Sequence, residues 1–94
     1  MYKLLDISYE FLEPQELSSP AECVIKLSLS GSNELKYKLM GAELDPNYMT
    51  TDRLYHTLFN ELRKYRVTNF ESMLDDFVVK FVSHIRQYSG MPLN

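Results

Sequence analysis

Apolar and polar positions alternate strictly from Leu5 to Phe11, with Leu5, Ile7, Tyr9 and Phe11 on one side and Asp6, Ser8 and Glu10 on the other. A period of two belongs to a strand with one buried face, so the pattern predicts a first strand over about 2–12 with that apolar set turned inward. On this parity Tyr2 and Leu4 fall on the otherwise polar side. Cys23, Ile25, Leu27 and Leu29 alternate with Val24, Lys26, Ser28 and Ser30, and Leu35, Tyr37 and Leu39 alternate with Lys36 and Lys38. These runs predict strands over about 22–30 and 34–40. Ser30-Gly31-Ser32-Asn33 between them is short and tolerant of positive φ, which joins the two as a hairpin. Residues 13–21 hold Pro14, Pro20 and paired serines and predict a loop of about nine residues.

After residue 50 the period becomes helical. Leu54, Tyr55, Leu58, Phe59, Leu62 and Tyr65 predict a helix over about 52–66, with Thr50 and Thr51 as N-cap candidates. A second helix over about 69–89 follows from Phe70, Met73, Leu74, Phe77, Val78, Phe81, Val82, Ile85 and Tyr88. Thr68-Asn69-Phe70-Glu71 fits a capping box, and Gly90 and Pro92 mark its stop. The connection over 40–50 contains Gly41 and Asp45-Pro46-Asn47 but also Leu44, Tyr48 and Met49, so it is expected to tuck its apolar side chains under the fold. The architecture expected is α+β: a three-stranded antiparallel sheet with one face covered by two C-terminal helices, in the order β-β-β-α-α. The chain of 94 residues is the size of a single small domain, taken as 1–94. A sheet of three strands leaves two edges, and the first strand, long and free of proline, invites pairing in a homodimer.

Composition narrows the class. Hydrophobic residues make up 45% and charged residues 24%, which excludes a disordered polyelectrolyte. A net charge of −3 argues against a polycation that condenses on nucleic acid or an anionic bilayer. The charge is uneven: residues 1–50 carry four Lys against eight acids, a balance of −4, and residues 51–94 carry six Lys or Arg against five acids, +1. The single cysteine, Cys23, excludes an internal disulfide and suits a reducing compartment. Asp6 interrupts the apolar start before a secretory segment forms, and no run reaches the roughly 20 apolar residues of a membrane helix. A cytoplasmic protein that makes no membrane contact is expected.

The sequence carries few residues in a chemically reactive pattern. There is no phosphate-cradling glycine loop, no Gly-x-Ser-x-Gly elbow and no His-Glu-x-x-His pair, and only three glycines. Cys23, on an apolar strand face with Val24 and Ile25 following it, reads as a small hydrophobe. Asp52 and His56 stand one helical turn apart, a spacing two ligands share by chance, and His84 falls at the edge of the second helix's apolar arc, a packing position. No catalytic residue, metal site or cofactor is therefore expected. The exposed side of the first helix is the informative surface, where Arg53, His56, Asn60, Arg63 and Lys64 lie opposite the apolar stripe. Arg63-Lys64-Tyr65-Arg66 ends that helix, where cations complement the dipole and the free carbonyls. The azimuth of Arg66 falls near Tyr55 and Phe59, so its stem is expected to snorkel along an aromatic surface. Partner binding is thus assigned to Arg53, Arg63, Lys64, Tyr65 and Arg66, with Tyr48 and Met49 on the long connection as further candidates.

The run Asp6-Ile7-Ser8-Tyr9-Glu10, followed by a loop, a hairpin and two helices, resembles the early strand and element order of the SecB export-chaperone family. The chain is shorter than that family's protomer and shows no fourth strand, so no residue roles are carried over. The function expected is that of a small non-enzymatic interaction protein, an inhibitor, adaptor or chaperone-like binder of an acidic protein surface. The alternative is a nucleic-acid-binding accessory protein that uses the basic side of the first helix, with Tyr65 for stacking.

Overall fold

A computed structural model describes residues 1–12, 22–45 and 47–88. The expected loop at 13–21, Pro46 and the helix stop at Gly90 and Pro92 lie outside the described residues. Three strands come first: β1 (Tyr2–Leu12), β2 (Glu22–Leu29) and β3 (Asn33–Met40). They are followed by α1 (Thr51–Lys64), a two-residue strand β4 (Val67–Thr68) and α2 (Glu71–Tyr88). The sheet order is β3-β2-β1-β4, with β1 antiparallel to β2, β2 antiparallel to β3, and β4 parallel to β1. The α+β class stands; the three-stranded antiparallel sheet and the β-β-β-α-α order do not.

The correction originates where α1 ends. Arg66 takes a left-handed φ of 59°, its N–H donating to the carbonyl of Arg63 at 3.0 Å. Its carbonyl accepts the N–H of Tyr2 at 3.3 Å, which lays Val67 and Thr68 alongside Tyr2 and Lys3. The helix thus stops at Lys64 rather than near 66. Asn69, also left-handed at φ 56°, turns the chain into α2, whose first internal bond runs from the N–H of Leu74 to the carbonyl of Phe70 at 2.8 Å. Thr68 is part of β4, three residues ahead of the first helical residue, so the expected capping box does not form.

A second correction lies inside β1. Leu4 pairs with Leu29 but Asp6 pairs with Ser28, so Leu5 is an extra residue on β1, a β-bulge. One added residue reverses the parity of a strand. Leu4 is therefore buried and Leu5 is 59% exposed, the reverse of the alternation expected at these two positions. Ile7, Tyr9 and Phe11 beyond the bulge do face the core, as expected. The hairpin forms as expected: Gly31 and Ser32 adopt φ of 75° and 61°, and the Asn33 amide donates to the carbonyls of Ser30 and Gly31 at 3.2 and 3.3 Å.

Both helices bury their apolar stripes on one face of the sheet. Leu54, Leu58 and Leu62 of α1 and Phe70, Leu74, Phe77, Val78, Phe81, Val82 and Ile85 of the α2 region meet Cys23, Ile25, Leu27, Leu29 and Leu39. Among the described residues no polar or charged side chain is buried. The connection after β3 tucks in as expected through Leu44, packed against the core, and Met49, buried in it. The uncovered sheet face carries two exposed ion pairs, Lys26 to Glu10 at 3.9 Å and Lys38 to Glu22 at 3.6 Å, each worth well under about 1 kcal/mol.

The bulge is open to test by two substitutions. Leu4→Ala is expected to lose about 2–5 kcal/mol of stability and Leu5→Ala less than about 0.5, read from denaturant melts; similar losses at both would place the bulge elsewhere. Phe81→Ala or Phe77→Ala is expected to remove about 3–5 kcal/mol, a large share of the roughly 5–15 kcal/mol a small domain has. A cooperative melt near the parent temperature would show that α2 does not anchor the core.

Candidate functional site

The exposed side of α1 is set by how the helix starts and stops. Thr50 caps it, its Oγ1 accepting the N–H of Arg53 at 3.2 Å. Leu54, Leu58 and Leu62 at i, i+4 and i+8 then fix the buried stripe. That rotation leaves Arg53, His56, Asn60, Arg63 and Lys64 in solvent. The last turn holds Arg63 and Lys64, where positive charge complements the carbonyl end of the helix.

The cations on this side are paired with rings. The Arg53 guanidinium lies 4.3 Å from the centroid of Tyr48, Arg63 lies 5.8 Å from Phe59, and the Lys64 ammonium lies 5.8 Å from Tyr65. Phe59 is itself stacked on Tyr55 at 5.8 Å and meets Phe70 at 5.3 Å, so Arg63 caps an aromatic column rising from the core. Tyr48 and Tyr65 are 45% and 43% exposed, and each presents its ring together with a cation. Among the described residues the ion pairs are those of Lys26 and Lys38, so no carboxylate lies within 4 Å of Arg53, Arg63, Lys64 or Arg66. Arg63 and Arg66 line one open cleft of about 530 Å³ with Thr68, Asn69, Phe70 and Glu71.

The structure thus distributes the seven residues singled out for partner binding. Arg53 and Tyr48 form one couple, and Lys64 and Tyr65 form another. Arg63 and Arg66 share the cleft at the α1–α2 turn. Met49 belongs to the core and contributes nothing to the surface. Arg66 does not follow the helical azimuth assigned to it, because it lies beyond α1 in a left-handed turn; Arg63 is the cation over an aromatic ring. Phe59 was not among the expected site residues, although its i, i+4 spacing to Arg63 carried the signal.

The other chemistry-bearing residues are accounted for by packing. His84 is half-buried and bonds through Nδ1 to the hydroxyl of Tyr9, whose ring meets Phe77 and Phe81 edge-on at 5.9 and 4.9 Å. Burial pushes the Tyr9 phenol above its ordinary value, which keeps the proton on the oxygen, and the nearby Cys23 adds to this. Tyr37 is raised for the same reason, with Glu43, Glu61 and Tyr48 contributing. His56 is exposed, its ring edge-on to Tyr55. Among the described residues no three His, Cys, Asp or Glu side chains are grouped to hold a metal ion. Among them, too, no helix is long and apolar enough to cross a membrane.

No family model matches the chain, and neither a curated protein nor a solved structure matches it. The likeness to the SecB chaperones has no support from these comparisons, and β4 changes the element order on which it was read.

Cys23 offers a test of the interior that this surface stands on. Burial pushes its thiol up to about 11 from 9.0, opposed in part by a hydrogen bond with the Glu10 backbone. The folded state then holds a proton that the unfolded chain releases, so stability is intact below pH 9 and falls as pH rises from 9 towards 11. The slope approaches about 1.4 kcal/mol per pH unit within that window. Tyr9 and Tyr37 add loss of the same sign only above 10.0. Urea melts of the parent and Cys23→Val at pH 8, 9 and 10 should therefore differ in slope; parallel curves would assign the loss to another group.

Proposed function

We propose that the chain is a non-enzymatic interaction protein, of adaptor, inhibitor or chaperone type, that engages an acidic protein surface through the exposed side of α1 and the turn after it. One observation carries the reading: Arg53, Arg63 and Lys64 each lie against an aromatic ring, and none has a carboxylate within 4 Å among the described residues. A cation already held over a ring loses less side-chain freedom on binding, and an unpaired one has its charge available to a partner. Arginine and tyrosine are also the residue types that dominate binding energy in protein interfaces. The catalytic alternatives lack support of this kind. Cys23, Tyr9 and Tyr37 are all driven towards the protonated form by burial, the reverse of what activates a nucleophile.

A second reading is favoured by one feature, the 43% exposed Tyr65 beside Lys64, which is the pairing a single-stranded nucleic acid uses for stacking and phosphate contact. Salt separates the two. Affinity for a phosphate backbone falls steeply and linearly in log salt, whereas an interface with aromatic anchors declines little.

The test is Arg63→Glu with Lys64→Glu. Folding should change by about 0.5 kcal/mol, plus about 0.3–1 for the lost complement to the helix dipole. Binding to a partner captured from the native cell should weaken by about 1 kcal/mol or more, chiefly through slower association. Unchanged affinity at low salt would mean that this side of α1 is only a solvated helix face.

A further inference from the structure

The sheet has a second surface, of opposite charge, that the basic side of α1 does not involve. β4 covers β1 only at Tyr2 and Lys3. From Leu5 to Glu10 the outer edge of β1 meets no strand among the described residues. Alternate residues of a strand direct both backbone groups to the same edge, so this stretch presents a short ladder of donors and acceptors that no strand among the described residues pairs. Sheets usually blunt such an edge with lysine, proline or a bulge. The opposite edge, β3, is blunted in that way by the exposed Lys36 and Lys38. The bulge at Leu5 precedes the open stretch, and residues 5–10 contain no lysine, arginine or proline.

The side chains along the open edge define what would fit it. Asp6, Ser8 and Glu10 are exposed on the uncovered face. Asp6 has no cation within ion-pair distance among the described residues, and Glu10 shares its charge only with the exposed Lys26 at 3.9 Å. On the core side Ile7 and Tyr9 are only half-buried, and Leu5 is 59% exposed. A strand added beyond β1 would place its inward residues beside Ile7 and Tyr9, and its outward residues opposite Asp6 and Glu10.

We propose that the open edge of β1 is a docking site for an extended basic segment of a partner protein, taken up as an added strand. The segment has apolar residues at alternate positions and two cations four residues apart on the other face, opposite Asp6 and Glu10. Backbone pairing supplies affinity, and the alternation of side chains supplies register and selectivity. A second copy of this chain is the poorer occupant, because β1 paired antiparallel with itself about Ser8 sets Asp6 across from Glu10 of the copy, and like charges directly opposite are destabilising.

The probe is a nine-residue peptide alternating valine and lysine, compared by fluorescence anisotropy with its glutamate counterpart and with a version N-methylated at alternate amides. The lysine peptide should bind at least about tenfold more tightly than the glutamate peptide at low salt, and N-methylation should cost it about tenfold or more. Hydrogen exchange should show new protection at the amides of residues 5–10. Asp6→Lys with Glu10→Lys, both exposed positions, should reverse the preference between the two peptides while the circular dichroism spectrum is kept. Arg63→Glu with Lys64→Glu should leave peptide binding unchanged, which separates this edge from the basic side of α1. Equal binding of the lysine and glutamate peptides, tolerance of N-methylation, or protection elsewhere would overturn the proposal. So would sedimentation showing a dimer in which residues 5–10 are already protected without peptide.

Discussion

Leu4 and the set Ile7, Tyr9 and Phe11 stand at positions of opposite parity, yet all face the helices; an unbroken strand cannot turn both inward. The extra residue at Leu5 resolves the conflict. Before the bulge, β1 is held between β2 and β4, and Leu4 enters the core beside Val67. After the bulge, β1 turns Tyr9 towards α2, where its ring meets Phe77 and Phe81 and its hydroxyl finds His84. Without the extra residue, either Leu4 or the set Ile7, Tyr9 and Phe11 would face solvent. The small strand β4 follows from the same arrangement, because the backbone of Tyr2 is directed at the carbonyl of Arg66.

Among the described residues no polar or charged side chain is buried, which leaves the charged chemistry to the outside, with cations and acids gathered in different places. Cations collect at the carbonyl end of α1 and in the turn after it, where the helix dipole favours them and aromatic rings support them. Acids collect on the uncovered sheet face, where Lys26 of β2 partly balances Glu10 of β1 and Lys38 of β3 partly balances Glu22 of β2. Arg66 illustrates the cost of one such placement. A left-handed backbone favours glycine or asparagine, and a non-glycine residue there is strained by about 1 kcal/mol or more, yet an arginine occupies it and lines the cleft with Arg63.

The hairpin strands and both helices were legible because each has an undisturbed period: two for Cys23 to Leu29, and 3.6 for Leu54 to Leu62 and Phe70 to Ile85. The cap was legible to within Thr50 and Thr51 for the same local reason, whereas Met49, read both as tucked and as a surface candidate, was decided by its burial. The basic side of α1 could be read as well, since five exposed residues follow from the azimuth of three buried leucines. Its aromatic backing was less visible, because Phe59 reads as part of the apolar stripe until the partly open Arg63 contact is seen.

Local pattern by itself determined β1, β2 and β3, the presence of the two helices and which face of α1 is wet, because these depend on side chains a few positions apart. Only the tertiary structure decided the parity of β1, the fourth strand, and the end of α1 at Lys64. A bulge leaves no mark in composition, since Leu4 and Leu5 are the same residue type and either can be the one buried. Val67 and Thr68 become a strand only because Tyr2, 65 residues away in sequence, offers an edge. Pairing across that distance is a property of the assembled sheet, and so is the open stretch of edge that begins where it stops.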